Sequence, residues 1–183
     1  AFGVLPPVAK LTKEQAMFYF ILGYTAKVAG TEIGVKEPQA TFSACFGAPF
    51  MVRHPYEYSQ MLKERMLKHK ANVWLVNTGW VGGRFGVGKR ISIRHTRNLL
   101  NAALDGKLDK VKYRKDKLFG FEVPKSCPEV PPDVLEPSSS WGDKNEYWKK
   151  YDALAARFIE NFKLFQKGCS AEVINAGPKR LSK

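Results

Sequence analysis

An α/β fold, a mixed sheet with flanking helices, is predicted for this chain of 183 residues by three observations. Apolar residues recur at three- and four-residue spacing over several long segments, which is the period of a helix buried on one face. Short apolar runs rich in Val, Ile and Trp separate those segments and read as strands. Glycine and proline stand at the junctions, where a chain must change direction.

The elements follow in order. Val4 to Val8, with Pro6 and Pro7, reads as the end of a strand running into a turn. Thr12 is placed to cap a helix, and Gln15, three residues later, completes a capping box. From Lys13 to about Ala29 the residues Ala16, Met17, Phe20, Ile21, Tyr24 and Val28 share one face, and Gly30 ends the helix. Thr31 to Thr41, with Gly34 and Pro38 and no period, is a surface loop long enough to be a lid, or equally a passive connector.

Pro55 suits the first turn of a second helix to about Lys70, with Tyr58, Met61, Leu62 and Met66 on one side. Asn72 to Val76 reads as a buried strand, Ile91 to Ile93 as another, and Thr96 to Leu104 as a third helix closed by Gly106. Prolines punctuate an irregular stretch over about 118–141 that is expected to wrap over the surface. A last helix over about 143–166 carries Tyr147, Tyr151, Leu154, Phe158, Phe162 and Phe165 at helical spacing, a stripe suited to core packing.

Composition narrows the classes. Hydrophobic residues make up 44% and charged residues 26%, the balance of a globular chain that can bury a core. No apolar run is long enough to span a membrane, so no membrane partner is expected. The opening AFGVLPPVAKL has neither the basic and apolar regions of a signal peptide nor an initiator Met, and is read as the interior of a longer chain. Cys45, Cys127 and Cys169 are widely spaced without a CxxC pair, which points to reduced thiols instead of a disulfide framework or zinc site. A formal charge of +13 attracts anions. Its densest stretch, Lys107 to Lys117, is mixed with Asp109 and Asp116 as on a solvated surface, and no nucleic-acid-binding motif accompanies it. A nucleotide triphosphate is the alternative polyanion.

One motif misleads. Gly83-Arg84-Phe85-Gly86-Val87-Gly88-Lys89 satisfies the first seven positions of the phosphate-binding P-loop, but Arg90 stands where a Ser or Thr must ligate magnesium. The Ile91-Ser92-Ile93 that follows reads as strand and not as a helix whose N-terminus could hold phosphate. A glycine-rich turn ending in Lys89 and Arg90 can still line a site for an anionic or aromatic ligand. His54, His69 and His95 show no metal-binding spacing, and no carboxylate pair marks an acid and base.

Three stretches in order, AFGVLPPVAKLT, GYTAKVAGTE with EPQATFSACFG, and LVNTGW with GVGKRISIRHTR, closely resemble the C-terminal part of ATP-dependent phosphoenolpyruvate carboxykinases. The resemblance runs from Ala1 to roughly Gly106 and resumes weakly at FGFEVP and at the final AGP. It implies part of one ATP-binding domain, in an enzyme that decarboxylates oxaloacetate and phosphorylates the enolate from ATP, yielding phosphoenolpyruvate and ADP. This is the lyase step that opens gluconeogenesis. Mg2+ and Mn2+ are implied as cofactors, with the P-loop, the metal ligands and most oxaloacetate-binding residues in a missing N-terminal part, so that the segment alone is expected to be inactive.

Carried over by position, the family's adenine-side residues fall on Arg90, Ile91 and Thr96. Arg90 would lie across the adenine face, the Ile91 backbone would meet the base edge, and the Thr96 hydroxyl would exchange hydrogen bonds, unless Thr96 only caps its helix. The family's lid falls on the loop of about 30–42, with Gly30, Thr31, Glu32, Gly34 and Phe42. The competing reading is a non-catalytic carboxykinase-derived structural or interaction subunit of a larger assembly. The expected compartment is cytoplasmic, with a peroxisome-like organelle as the alternative should the gene extend Ser182-Lys183 by a leucine.

Overall fold

A computed structural model describes residues 2–27 and 37–181. Along the chain come β1 (Val8–Leu11), α1 (Lys13–Leu22), β2 (Tyr24–Lys27), β3 (Gln39–Phe42), α2 (Pro55–His69), β4 (Val73–Val76), β5 (Trp80–Val81) and β6 (Lys89–Arg90). There follow α3 (Ile93–Leu104), β7 (Tyr113–Lys115), β8 (Glu122–Pro124), α4 (Pro132–Leu135), α5 (Pro137–Ser140), α6 (Lys144–Gln166) and α7 (Ala171–Asn175). They divide into two compact units, one of Ala1–Lys10 with Trp74–Ala153, the other of Leu11–Val73 with Leu154–Lys183.

The first unit is built on a four-stranded sheet in the order β4-β1-β8-β7. β8 pairs antiparallel with β1, Lys10 opposite Glu122, and with β7, Arg114 opposite Val123. The turn between β7 and β8 is organised by Asp116, only 7% exposed. Its Oδ1 accepts from the backbone N–H groups of Leu118 and Phe119 at 3.1 and 2.7 Å, so that no buried donor there is orphaned. Val8, Leu99, Ala102, Leu108, Val134 and Leu135 close a core between the sheet, α3 and α4. The N-terminal segment is tied in by two buried side-chain donors. Trp141 Nε1 donates to the Gly3 carbonyl at 2.8 Å, and the Tyr147 hydroxyl donates to the Val4 carbonyl at 3.1 Å. Each gives an aromatic ring the polar partner that its burial requires.

In the second unit α1 begins with the expected capping box: Thr12 Oγ1 accepts from Gln15 N, and Gln15 Oε1 accepts from Thr12 N. The helix stops at Gly23, in the left-handed region at φ 56°, whose N–H donates to Tyr19 O at 3.0 Å. A Cβ at Gly23 would stand 1.7 Å from Ser43 O, so only glycine fits this close crossing. From there β2 turns back on β3, Tyr24 opposite Phe42 and Lys27 opposite Gln39. The aromatic stripe of α6 packs as anticipated. Phe158 meets Tyr19, Tyr24 and Phe42 with ring centroids 5.5, 4.7 and 5.2 Å away, and Phe162 stacks on Phe18 at 4.2 Å. A buried ring of this size contributes about 2–3 kcal/mol.

Several expectations are corrected. The first strand is Val8–Leu11 and follows the proline pair instead of preceding it. α1 ends at Leu22 and not near Ala29, because Gly23 caps it and Tyr24–Lys27 find strand partners in β3. β4 is not buried. It is an edge strand, with Val76 39% exposed. The stretch 118–141 does not merely wrap over the surface, since β8 lies inside the sheet with Phe121 and Val123 fully buried, and α4 and α5 follow. Finally, Met61 on α2 is 59% exposed, whereas Met66 is buried as expected.

Asp116→Ala removes the acceptor of two buried N–H groups and is expected to cost about 1–3 kcal/mol in urea unfolding. Asp116→Asn, which keeps an acceptor oxygen, should cost less. Burial pushes the Tyr24 phenol up from 10.0 to about 12, against a smaller opposite pull from Arg157. Both folded and unfolded states hold Tyr24 neutral below its unfolded value, so its contribution is whole there and is lost as pH rises toward about 12. Alkaline unfolding followed by circular dichroism should begin in that window and move to higher pH in Tyr24→Phe.

Candidate functional site

The glycine-rich segment is a β-hairpin. Trp80 pairs with Arg90 and Val81 with Lys89, and the turn between them closes with the N–H groups of Val87 and Gly88 donating to Arg84 O at 3.0 and 2.8 Å. Its glycines serve close packing. A Cβ at Gly3 would lie 2.1 Å from Gly83 O, and one at Gly83 would lie 2.9 Å from Gly88 N. Gly82 N donates to Ser140 Oγ at 3.2 Å, which braces the hairpin from α5.

The hairpin pairing shows that the segment is not a P-loop. A P-loop runs from strand through loop directly into a helix, whereas here Lys89 and Arg90 are strand residues paired back onto β5. The expected strand at Ile91–Ile93 is absent. Ser92, extended at φ −63° and ψ 150°, accepts from His95 N through its Oγ at 3.1 Å and caps α3, which starts at Ile93. Thr96 is accordingly not the cap. It sits inside the first turn, its N–H donating to Ser92 O at 2.9 Å, and its hydroxyl is not needed to begin the helix.

Between the hairpin, the Ile91–Ser92 link, His95 of α3 and Val134 of α4 lies a groove of about 420 Å³. That is within the size range of small-molecule sites. Its walls are mainly apolar, with Val81, Val87 and Val134; Val134 also belongs to the core of the first unit and the half-buried Val81 packs against that core. Lys89 and Arg90 bring two cationic side chains, and among the described residues no carboxylate lines it. An apolar slot with cations at hand suits a flat, anionic ligand.

Of the residues singled out in the sequence, Arg90 and Ile91 line this groove together and Thr96 does not. The Ile91 N–H already donates to Gly79 O at 3.0 Å, so any polar contact of its backbone to a ligand falls to the carbonyl oxygen. The Arg90 guanidinium lies 5.4 Å from the Trp80 ring centroid. Sequence reasoning passed over Trp80, Ser92 and His95; the cross-strand pairing that places Trp80 beside Arg90 needs the hairpin register, which a two-residue ladder does not announce. Gly30, Thr31, Glu32 and Gly34 of the expected lid lie outside the described residues. Phe42 belongs to β3 and packs on Phe158, so the loop does not extend to it.

Among the described residues no group of three or more His, Cys, Asp or Glu side chains could hold a metal ion. The thiols of Cys45, Cys127 and Cys169 are free, and burial pushes each of them up, away from the reactive thiolate. None of the described helices is long and apolar enough to cross a membrane.

Comparison with known proteins agrees with the resemblance. The family model for phosphoenolpyruvate carboxykinase matches residues 1–133. A phosphoenolpyruvate carboxykinase (ATP) of Caldanaerobacter subterraneus is 58% identical over 179 residues, covering 98% of this chain and 34% of that protein. The same-named protein of Thermus thermophilus is 55% identical over 179 residues, again 98% of this chain and 34% of the relative. That of Dictyostelium discoideum is 53% identical over 178 residues, 97% of this chain and 32% of the relative. The chain thus spans about a third of the length of these curated relatives. With the fold, the hairpin groove and these matches together, the chain belongs to the phosphoenolpyruvate carboxykinase family.

Proposed function

We propose that this chain supplies the base-facing side of the ATP site in an ATP-dependent phosphoenolpyruvate carboxykinase, the enzyme that converts oxaloacetate and ATP to phosphoenolpyruvate, carbon dioxide and ADP. The observation that carries the reading is the groove in which Arg90 and Ile91 stand side by side on an apolar floor, in a chain of this family. The remaining two thirds of a carboxykinase chain supply the phosphate cradle, the oxaloacetate contacts and the divalent metal site, for Mg2+ or Mn2+. A cytoplasmic setting accords with three free thiols.

The division of labour follows from the chemistry of each group. Arg90 places a delocalised cation against the π face of the base. The Ile91 carbonyl accepts a hydrogen bond from the 6-amino group of adenine, which a 6-oxo purine cannot donate. Thr96 does not line the groove in this segment, and its hydroxyl is assigned to the base edge on the family resemblance alone. These contacts are made equally in ground and transition states, so they set nucleotide affinity and leave the chemical step to others.

In a complete enzyme carrying this segment, Arg90→Ala is expected to raise the KM for ATP about five- to thirtyfold, the scale of a desolvated cation–π contact. Turnover at saturation should fall far less, and the oxaloacetate constant should hold. Thr96→Val should raise the ATP constant without lowering Tm, because Ser92 and not Thr96 caps α3. Steady-state kinetics beside thermal melts check both. Loss of turnover with ATP affinity intact in Arg90→Ala would place Arg90 in phosphoryl transfer instead.

A further inference from the structure

We infer that Trp80 is a positioning residue for Arg90, fixing the guanidinium that meets the nucleobase; the inference rests on the adenine-side reading above. Trp80 and Arg90 are direct cross-strand partners in the antiparallel β5–β6 pair, which brings their side chains out on the same face. The guanidinium carbon lies over the indole ring, 5.4 Å from its centroid. The indole is itself held by the edge of Phe85, with centroids 5.6 Å apart and planes at 82°. Phe85 belongs to the hairpin's own turn, so ring, ring and cation form one chain of contacts within a single hairpin.

Arg90 needs such a support. It is exposed and makes no ion pair with any described carboxylate, so nothing else among the described residues restrains its side chain. A free arginine would lose most of its rotamer freedom on meeting a base, and an indole that already restrains it lowers that loss. A guanidinium is planar with two faces. With one turned to Trp80, the other is left for a second π system, and a purine in the groove that Arg90 lines can meet it. Trp80 does not line the groove. It acts through Arg90, and its effect must vanish when Arg90 is gone.

The test is a double-mutant cycle in the complete enzyme, with Trp80→Leu, Trp80→Phe, Arg90→Ala and the double variant Trp80→Leu/Arg90→Ala, each checked by thermal melt. Trp80→Leu is expected to raise the KM for ATP about three- to tenfold with kcat within about twofold, as loss of a partly exposed cation–π support would. Trp80→Phe keeps a π face and should recover most of that loss, which also guards against a variant that merely misfolds. In the Arg90→Ala background Trp80→Leu should add nothing. An undiminished Trp80→Leu effect in that background overturns the inference, as does an unchanged ATP constant in Trp80→Leu while Arg90→Ala still raises it. If Arg90→Ala itself leaves the ATP constant alone, the adenine-side reading fails and the positioning role falls with it.

Discussion

The close approach of backbone at Gly3 and Gly83 is the constraint from which the groove follows. A single Cβ at Gly3 would sit 2.1 Å from the Gly83 carbonyl, so the hairpin could not rest against the N-terminal segment with any other residue there. That segment is in turn anchored by the Trp141 indole on Gly3 O and the Tyr147 hydroxyl on Val4 O. The hairpin is braced on its other side through Gly82 and Ser140. Pinned at both places, it presents Lys89 and Arg90 along one wall, and the Ser92 cap starts α3 immediately afterward to make the next.

This explains why the glycine pattern imitates a P-loop without being one. Both need glycine because backbone must come near something. In a P-loop the neighbour is phosphate, and here it is backbone of the same protein, in the N-terminal segment and across the hairpin's own turn. The chemistry that results differs accordingly. A P-loop directs a row of N–H groups at an anion, whereas this hairpin commits its backbone to pairing and offers side chains, a cation above an apolar slot.

Much of the fold was legible because its signals are local. The Thr12–Gln15 capping box, Pro55 at the start of α2 and the aromatic stripe of α6 each declare themselves within a few residues, and each stands where expected. What escaped was decided by distant partners. Gly23 is itself a local cap signal, but the apolar period runs on past it through Tyr24 and Val28, and only the distant Ser43 carbonyl makes glycine obligatory there. β8 enters the sheet interior because β1 and β7 flank it, although Pro124 within it and the run of prolines after it suggest a loop. At the site, Arg90 was legible as a cation ending a glycine-rich turn, whereas Ile91 was reached by family resemblance alone, since its part is played by backbone and carries no side-chain signal. The cap at Ser92 was a local signal misread, with the β-branched Ile91 and Ile93 suggesting strand where a Ser before a helical pattern was the stronger sign.

The central claim is that the adenine of ATP lies in the groove between the β5–β6 hairpin and the start of α3. Photolabelling the complete enzyme with 8-azido-ATP, followed by peptide mapping, locates the base directly. The account predicts label confined to the stretch 81–95 and to Val134, displaced by excess ATP. Label that is displaced by ATP but falls only on peptides outside the groove would contradict it.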